Sequence, residues 1–194
     1  MRRSLLLFLL AACGEPARGG LAIAPGPFGE VAELVALTPG TVLDDTGDIT
    51  VVDDAAVPAE GFRLERSGAG VVVHAHDALG AQYGVAAALE AYGYRFRHPH
   101  DPLVPDAPAL GELDTALHAP EVRVRGLQLH TLHPIEGYYA TWEPDGGDDA
   151  RHIVDWLIKN RGNYLQWVAL DDIMDPARHA EWQQTTRELI DYAH

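Results

Sequence analysis

Apolar residues between positions 21 and 100 follow two different spacings. Residues 61–66 alternate apolar and charged side chains, a period of two that is typical of a strand with one face in water. After Pro27 and again after Asp77, apolar residues recur every three or four positions, which is the period of a helix. The pattern predicts two helices, together with strands at 21–24, 49–52, 61–66 and 71–76.

Small and polar residues mark where these elements end. Pro39 ends the first helix, and the segment 67–70 forms a hairpin-like turn between two strands. Asp77 is placed to cap the second helix, and Gly93 is placed to end it in a left-handed conformation. Strands covered by helices on one face make an α+β domain, which we expect over residues 21–118.

The order of elements changes after a connector at 101–120 that is rich in Pro, Ala and Leu. A strand is predicted at 122–130, then a helix capped by Asp149, a strand at 163–172, and a helix that follows Asp175 and Pro176. The apolar stripes of the two helices contain Ala150, Ile153, Val154, Leu157 and Ile158, and then Trp182, Leu189 and Ile190.

Strand, helix, strand, helix is the order that begins a (β/α)8 barrel. We therefore predict the first two βα units of such a barrel over residues 121–194. A complete barrel needs about 250 residues, which is more than the 194 residues of the whole chain. The barrel is expected to be incomplete here, and the chain to be the amino-terminal fragment of a longer protein.

The amino terminus has the pattern of an export signal. Arg2 and Arg3 precede a short apolar run, and small residues lead to Cys13. The segment before Cys13 resembles a bacterial lipobox, which predicts a lipoprotein signal peptide at 1–12, lipidation of Cys13 and a tether at 13–20. A plain signal peptide with an incidental cysteine is the alternative. An exported protein held at the membrane only by its lipid anchor is expected.

The charge balance limits the partners of this protein. The chain has 29 acidic and 14 basic side chains, a formal charge of −15. Nucleic acid is not expected as a partner, because phosphate binding needs clustered Lys and Arg. Cys13 is the only cysteine, so no disulfide forms within the chain. Phosphate loops, dinucleotide fingerprints and nucleophile elbows are missing from the sequence, and no cofactor is expected.

One segment resembles a known module. Asp77, Gly80, Tyr83 and Gly84 follow the D-x-x-G-x-x-Y-G pattern, in which a strand leads into a helix. This run is similar to the amino-terminal α+β domain of beta-N-acetylhexosaminidases (glycoside hydrolase family 20), which alpha-glucuronidases share. The segment from Tyr94 to Pro99 resembles the alpha-glucuronidases more closely.

Two further segments resemble the first barrel strands of the hexosaminidases. Arg125 and Gly126 match the R-G-x-x-x-D pattern, in which the Arg grips the sugar, but His130 replaces the Asp. The second-strand pattern N-x-x-H-W-x-x-x-D-D is matched by Asn163, Trp167, Asp171 and Asp172, with Gln166 in place of the family His. In that family, the catalytic Asp-Glu pair follows the fourth strand and the substrate's acetamido group assists, so no catalytic residue is expected here.

The resemblance and the carboxyl-end position of barrel sites together predict six substrate-binding residues. They are Arg125, His130, Glu136, Trp167, Asp171 and Asp172. Each has a plainer alternative: His130 as a hydrogen-bonded loop residue, Asp172 as a helix cap, Trp167 as barrel core, and Arg125 as a surface residue.

Histidine pairs and acidic runs outside these motifs indicate no metal site. His74 and His76 share one face of a strand, and His98 and His100 flank a proline, but neither pair has a third ligand at useful spacing. The acidic run at 145–149 lacks the spacing of a calcium loop. Hydrogen-bonded or solvated faces are the favoured interpretation, and no metal is expected.

Two functions fit these observations. The first is the front part of an exported glycoside hydrolase that acts on polysaccharide or amino-sugar glycans, with its catalytic carboxylates outside this chain. The second is a surface lipoprotein that binds glycans without cleaving them, since His130 and Gln166 depart from the family pattern. A truncated product without function is a third hypothesis, because two lone βα units expose apolar surface.

Overall fold

A computed structural model describes residues 20–129, 146–167 and 176–193, with only the backbone at 129 and 167. The strands are β1 (Leu21–Ala24), β2 (Thr41–Leu43), β3 (Ile49–Asp53), β4 (Phe62–Ser67), β5 (Gly70–Ala75), β6 (Leu117–His118), β7 (Gly126–Leu129) and β8 (Tyr164–Trp167). The helices are α1 (Gly29–Ala36), α2 (Ala78–Ala91), α3 (Gly147–Lys159) and α4 (His179–Ala193).

A six-stranded mixed sheet, in the order β2-β1-β3-β5-β4-β6, forms the first part of the chain (residues 20–118). The strands β2, β1, β3 and β5 run parallel, whereas β4 is antiparallel to both β5 and β6. Alternate residues of β4 and β5 are buried, and α1 and α2 join them in one hydrophobic core. The predicted strands, hairpin and helices of this part are confirmed.

The second part (residues 121–193) contains a separate two-stranded parallel sheet. Its strands β7 and β8 are joined through α3, and α4 follows β8. Ala150, Ile153, Val154 and Leu157 are buried as the stripe on α3 predicts, and Ile158 is partly buried. Leu189 of α4 packs against Ala150 and Val154.

Several boundaries differ from the predicted ones. The strand β7 begins at Gly126 rather than Val122, because the backbone N–H of Arg125 donates to the Asn163 side chain instead of to a neighbouring strand. The first turn of α3 contains Asp149, and its N-cap is Gly146. The helix α4 begins at His179, and Asp175 lies outside the described residues.

Other predictions are corrected by the tertiary packing. Ile190 is 44% exposed and does not belong to the buried stripe of α4. Within the predicted connector, Leu117 and His118 form the short strand β6, which pairs with β4 and is one edge of the sheet. The short strand β2 was not predicted, because its three residues are mostly exposed and carry no buried stripe. None of the described helices is long and apolar enough to span a bilayer.

Candidate functional site

The carboxyl ends of β7 and β8 lie side by side. The two strands pair in parallel from Gly126 opposite Tyr164 to Leu129 opposite Trp167. The two strands therefore end at the same edge of their sheet, and the predicted substrate site lies in the segments after Leu129 and Trp167. His130, Glu136, Asp171 and Asp172 lie in those segments, outside the described residues, as does Cys13 near the amino terminus. Their roles stay predictions, and so does that of the Trp167 side chain.

Gln166 occupies the position where the hexosaminidase pattern has His. Its side chain is exposed, and the Tyr164 hydroxyl donates to its Oε1 at 3.3 Å. An amide can donate and accept hydrogen bonds, but it does not exchange a proton near neutral pH as imidazole does. Gln166 can therefore bind a sugar hydroxyl but cannot act as a general acid or base.

Arg125 lies at the opposite, amino end of β7. The four residues of β7 span about 13 Å at the usual rise of a strand, which separates the backbone of Arg125 from the carboxyl edge. The following residue must be glycine, since a Cβ on Gly126 would stand 1.7 Å from the carbonyl oxygen of Tyr164. The Arg-Gly pair of the motif is thus explained partly by the close approach of the two strands.

The guanidinium of Arg125 binds partners within the chain. Nε donates to the carbonyl of Arg161 at 2.7 Å, and Nη1 donates to that of Val122 at 2.7 Å. Nη2 donates to Glu60 Oε2 at 2.5 Å and to the Tyr83 hydroxyl at 3.1 Å. Four of the five N–H groups of a guanidinium are thereby used. Sugar binding by Arg125 stays a prediction, and these contacts support a role in joining the two parts of the chain.

The ionisation of this cluster follows from its partial burial. Burial lowers the pKa of Arg125, but the hydrogen bonds to Glu60 and Tyr83 outweigh it and leave the pKa raised. Burial raises the pKa of the Tyr83 hydroxyl, and the charge of Arg125 only partly offsets this. At neutral pH the cluster therefore contains a cationic Arg125 and a neutral Tyr83 that can donate its own proton.

Glu60 and Tyr83 are two residues of this cluster for which the sequence predicts no role. Tyr83 stands in the D-x-x-G-x-x-Y-G pattern, which could have singled it out, and its hydroxyl donates to the carbonyl of Gly162 at 2.9 Å. Glu60 has no such signal, because it lies in a loop before β4 in a left-handed conformation with φ of 55°. Its importance depends on residues more than 60 positions away.

His74 and His76 of the first part bind carboxylates. His74 lies between Asp54 (3.3 Å) and Glu65 (3.1 Å) on the open face of the sheet, and His76 contacts Asp53 at 3.1 Å. This matches the hydrogen-bonded face favoured for His74 and His76. Within residues 20–129, 146–167 and 176–193, no group of three or more His, Cys, Asp or Glu is arranged to hold a metal ion.

Comparison with solved structures identifies the fold class as that of hexosaminidase- and glucuronidase-like glycoside hydrolases. A Bacteroides fragilis beta-N-acetylhexosaminidase superimposes with a TM-score of 0.56 at 16% identity, covering 91% of this chain and 38% of that one. A family GH115 4-O-methyl-alpha-glucuronidase with specificity for decorated arabinogalactans gives a TM-score of 0.59 at 18% identity, with 86% and 28% covered.

A mutant Streptomyces plicatus beta-hexosaminidase in complex with its product GlcNAc gives a TM-score of 0.55 at 18% identity, covering 90% of this chain and 40% of that one. This chain thus spans less than half the length of each of these structures. No protein-family model matches the sequence, and no curated protein matches it. The predicted resemblance is confirmed at the level of the fold.

Proposed function

We propose that this chain contributes the α+β domain and the first two βα units of the (β/α)8 barrel to a glycoside hydrolase-like protein that acts on amino-sugar glycans or other polysaccharides. The observation that carries this proposal is the superposition of 86–91% of the chain on two families of glycosidases. The mixed sheet and the parallel pair of β7 and β8 in this chain support the proposal, since they are the elements it assigns to the α+β domain and to the start of the barrel.

The proposed substrate-binding residues follow the carboxyl ends of β7 and β8. His130, Glu136, Asp171 and Asp172 would face the sugar there, because barrel sites form where these loops converge. Most glycosidases use two carboxylates that flank the scissile bond, whereas the hexosaminidase family uses an Asp-Glu pair together with the substrate's acetamido group. In the hexosaminidase family they follow the fourth strand, so this chain would supply substrate contacts and other segments would supply the catalytic acid.

An activity assay on matched proteins tests the proposal. The coding sequence on both sides of residues 1–194 is read, and the whole encoded protein is compared with residues 13–194 on aryl N-acetyl-β-glucosaminides, aryl α-glucuronides and natural glycans. Sugar release by the whole protein only is expected. A whole protein without a carboxylate pair near a fourth strand, or one that neither binds nor cleaves any glycan, would refute the proposal.

A second candidate function is glycan binding without cleavage. Gln166 favours it, because an amide stands where the hexosaminidases place His. In the same comparison, retention of a glycan on an array without release of reducing sugar would support this function over hydrolysis. The variant Gln166→His is the control. If Gln166 contacts only sugar hydroxyl groups, this variant should bind the glycan as well as the wild type does.

We further propose that the protein is exported and anchored to a bacterial membrane through Cys13. The apolar run and the small residues before Cys13 support this. Mass spectrometry of the mature amino terminus should show a diacylglycerol-modified Cys13, and the Cys13→Ser variant should be recovered without lipid. An unmodified mature terminus that begins at another residue would instead support the plain signal peptide.

A further inference from the structure

Glu60 keeps an unfavourable backbone conformation. Its φ of 55° lies in the left-handed region, which residues with a Cβ rarely adopt. Asp77 holds the backbone there, since its Oδ2 accepts the N–H of Glu60 at 2.7 Å while its Oδ1 accepts that of Gly80 at 2.8 Å. Strained residues persist where the surrounding structure requires them, and they often mark sites with a specific task.

The carboxylate of Glu60 binds the starts of both strands of the second part. It accepts from Nη2 of Arg125, the residue before β7, at 2.5 Å. It also accepts from Nδ2 of Asn163, the residue before β8, at 3.1 Å. The side chains of Glu60 and Arg125 are only 26% and 20% exposed, so water screens this ion pair incompletely.

Arg125 and Asn163 are in turn bound to each other. The Arg125 N–H donates to Asn163 Oδ1 at 2.9 Å, and the Asn163 N–H donates to the Arg125 carbonyl at 2.8 Å. Tyr83 of α2 completes the arrangement, because its hydroxyl accepts from Arg125 and donates to the carbonyl of Gly162. We call these four residues, Glu60, Tyr83, Arg125 and Asn163, the Glu60 junction.

We propose that Glu60 is a positioning residue that fixes the register and placement of β7 and β8 on the first part of the chain. A two-stranded sheet is marginally stable by itself, and the amino ends of this one are held by a carboxylate from another part of the chain. Because a strand is nearly straight, holding the amino ends of β7 and β8 also sets the position of their carboxyl ends relative to the first part of the chain. This role does not depend on the proposed function and holds whether or not the protein cleaves a glycosidic bond.

Hydrogen–deuterium exchange on the whole chain tests the proposal segment by segment. In Glu60→Gln, which keeps the size of the side chain, the amides of β7 and β8 should exchange about 10- to 100-fold faster, the range that loss of a hydrogen bond to a charged group produces. The amides of β1, β3 and β5 should be unchanged. Glu65→Gln is the matched control, because Glu65 also forms ion pairs but on the open face of the sheet.

The variant Glu60→Gly separates backbone strain from the carboxylate contacts. Glycine adopts a positive φ without strain, so β4 and β5 should keep or gain protection while β7 and β8 lose it. If Glu60 only supported its own loop, the amides of β7 and β8 in Glu60→Gly would be protected as well as those of β4 and β5. Equal loss across every strand, or unchanged exchange in β7 and β8, would overturn the proposal.

A double-mutant cycle tests whether Glu60 acts through Arg125. Arg125→Met alone should accelerate exchange in β7 and β8, and adding Glu60→Gln to it should accelerate exchange little further, since the contact is already lost. Arg125→Lys should restore protection only partly, because an ammonium cannot reproduce the fork that binds several acceptors at once. Additive effects of the two substitutions would refute action through Arg125.

Discussion

Asp77 does two things with its two carboxylate oxygens. One oxygen caps α2 through the N–H of Gly80, and the other holds the N–H of the strained Glu60. The sequence predicts the cap, because Asp before an apolar helical run is a common N-cap. The contact with Glu60 could not be predicted, since it depends on the placement of a loop 17 residues earlier.

Replacing Asp77 should therefore lower the free energy of unfolding by more than the loss of a helix cap alone would. Asp77→Ala is expected to lower the free energy of unfolding by about 2 kcal/mol, the upper end of the range for N-caps, because the Glu60 N–H also loses its acceptor. Urea denaturation followed by circular dichroism measures this. Asp45→Ala, at an exposed turn position, is the control and should change stability little.

Asp54 should contribute to the loss of stability in acid. The N–H of Ala56 donates to its carboxylate, and this bond, with the nearby His74 and Arg63, leaves the pKa of Asp54 lowered. The pKa of Asp54 is lower in the folded than in the unfolded protein, so its ionised carboxylate stabilises the fold above about pH 4. This stabilisation is lost as the pH falls through the folded-state pKa.

The variant Asp54→Asn removes this titration. Its midpoint of urea unfolding should fall less between pH 5 and pH 3 than that of the wild type, and it should be less stable than the wild type at pH 7. Parallel pH profiles for the two proteins would contradict the assignment.

The helix α3 ends in a left-handed residue that is not a glycine. Gly162 lies just beyond α3, yet the left-handed residue is Arg161, with φ of 62°. The N–H of Arg161 donates to Ile158 and that of Gly162 to Leu157, the pair of bonds of a Schellman motif. Gly162 is needed for space instead, since a Cβ there would stand 2.3 Å from Leu157 Cδ1.

At the scale of the element, two glycines let α2 pack closely, with Gly80 on the loop before β4 and Gly84 on β5. A Cβ on Gly80 would stand 2.2 Å from the carbonyl oxygen of Gly61, and one on Gly84 would stand 2.3 Å from Val73 Cγ1. The D-x-x-G-x-x-Y-G pattern is thereby explained: Asp77 caps, the glycines allow contact, and Tyr83 reaches the second part of the chain.

Alanine in place of two helical glycines should have opposite effects. Gly84→Ala should destabilise by about 1–3 kcal/mol through overpacking, even though alanine is the better helix former. Gly29→Ala, at the start of α1 where a Cβ meets nothing within 4 Å, should be neutral or stabilising by up to about 1 kcal/mol. Thermal unfolding of both variants measures this, and a stabilising Gly84→Ala would contradict the packing.

The helix α3 contains a buried ion pair that its apolar stripe does not predict. Lys159 donates to Asp155 one turn earlier, and both side chains are 5% exposed. The Lys159 ammonium also lies 5.1 Å from the centre of the Phe96 ring of the first part. Burial raises the pKa of Asp155 and lowers that of Lys159, and each charge partly offsets the effect on the other.

Removing one partner of this ion pair should destabilise the protein more than replacing both partners by apolar residues. Lys159→Met leaves a buried carboxylate unpaired and should destabilise by about 3–5 kcal/mol. Burial keeps the pKa of the unpaired Asp155 carboxyl raised. The variant should therefore lose stability as the pH rises through the folded-state pKa of Asp155. Asp155→Leu combined with Lys159→Met should come within about 1 kcal/mol of the wild type. Urea unfolding at several pH values measures both, and a double variant as unstable as the single one would contradict this expectation.

At the scale of the whole molecule, the acidic excess should oppose folding. A formal charge of −15 on 194 residues produces self-repulsion that is stronger in the compact state. Raising NaCl from 10 to 200 mM shortens the screening length to below about 10 Å, so the midpoint of thermal unfolding should rise. A midpoint that falls with salt would show that favourable ion pairs outweigh the repulsion.

The sequence by itself determined most elements of this protein and the class of its fold. Local signals sufficed for them: the period of apolar residues, the cap at Asp77, the turn before β5 and the Arg-Gly and Tyr-Gly motifs. The pairing of β7 with β8 also followed, since a strand, a helix and a strand in sequence form a parallel unit.

Only the tertiary structure decided how the two parts of the chain are joined. Glu60 and Asn163 are 103 positions apart, and their contact depends on the placement of three separate elements. The contacts of Arg125 were decided in the same way, because a guanidinium binds whichever acceptors the fold brings near it. Sequence motifs encode residue types and local spacing, whereas partners distant in the chain are fixed by the packing of the whole core.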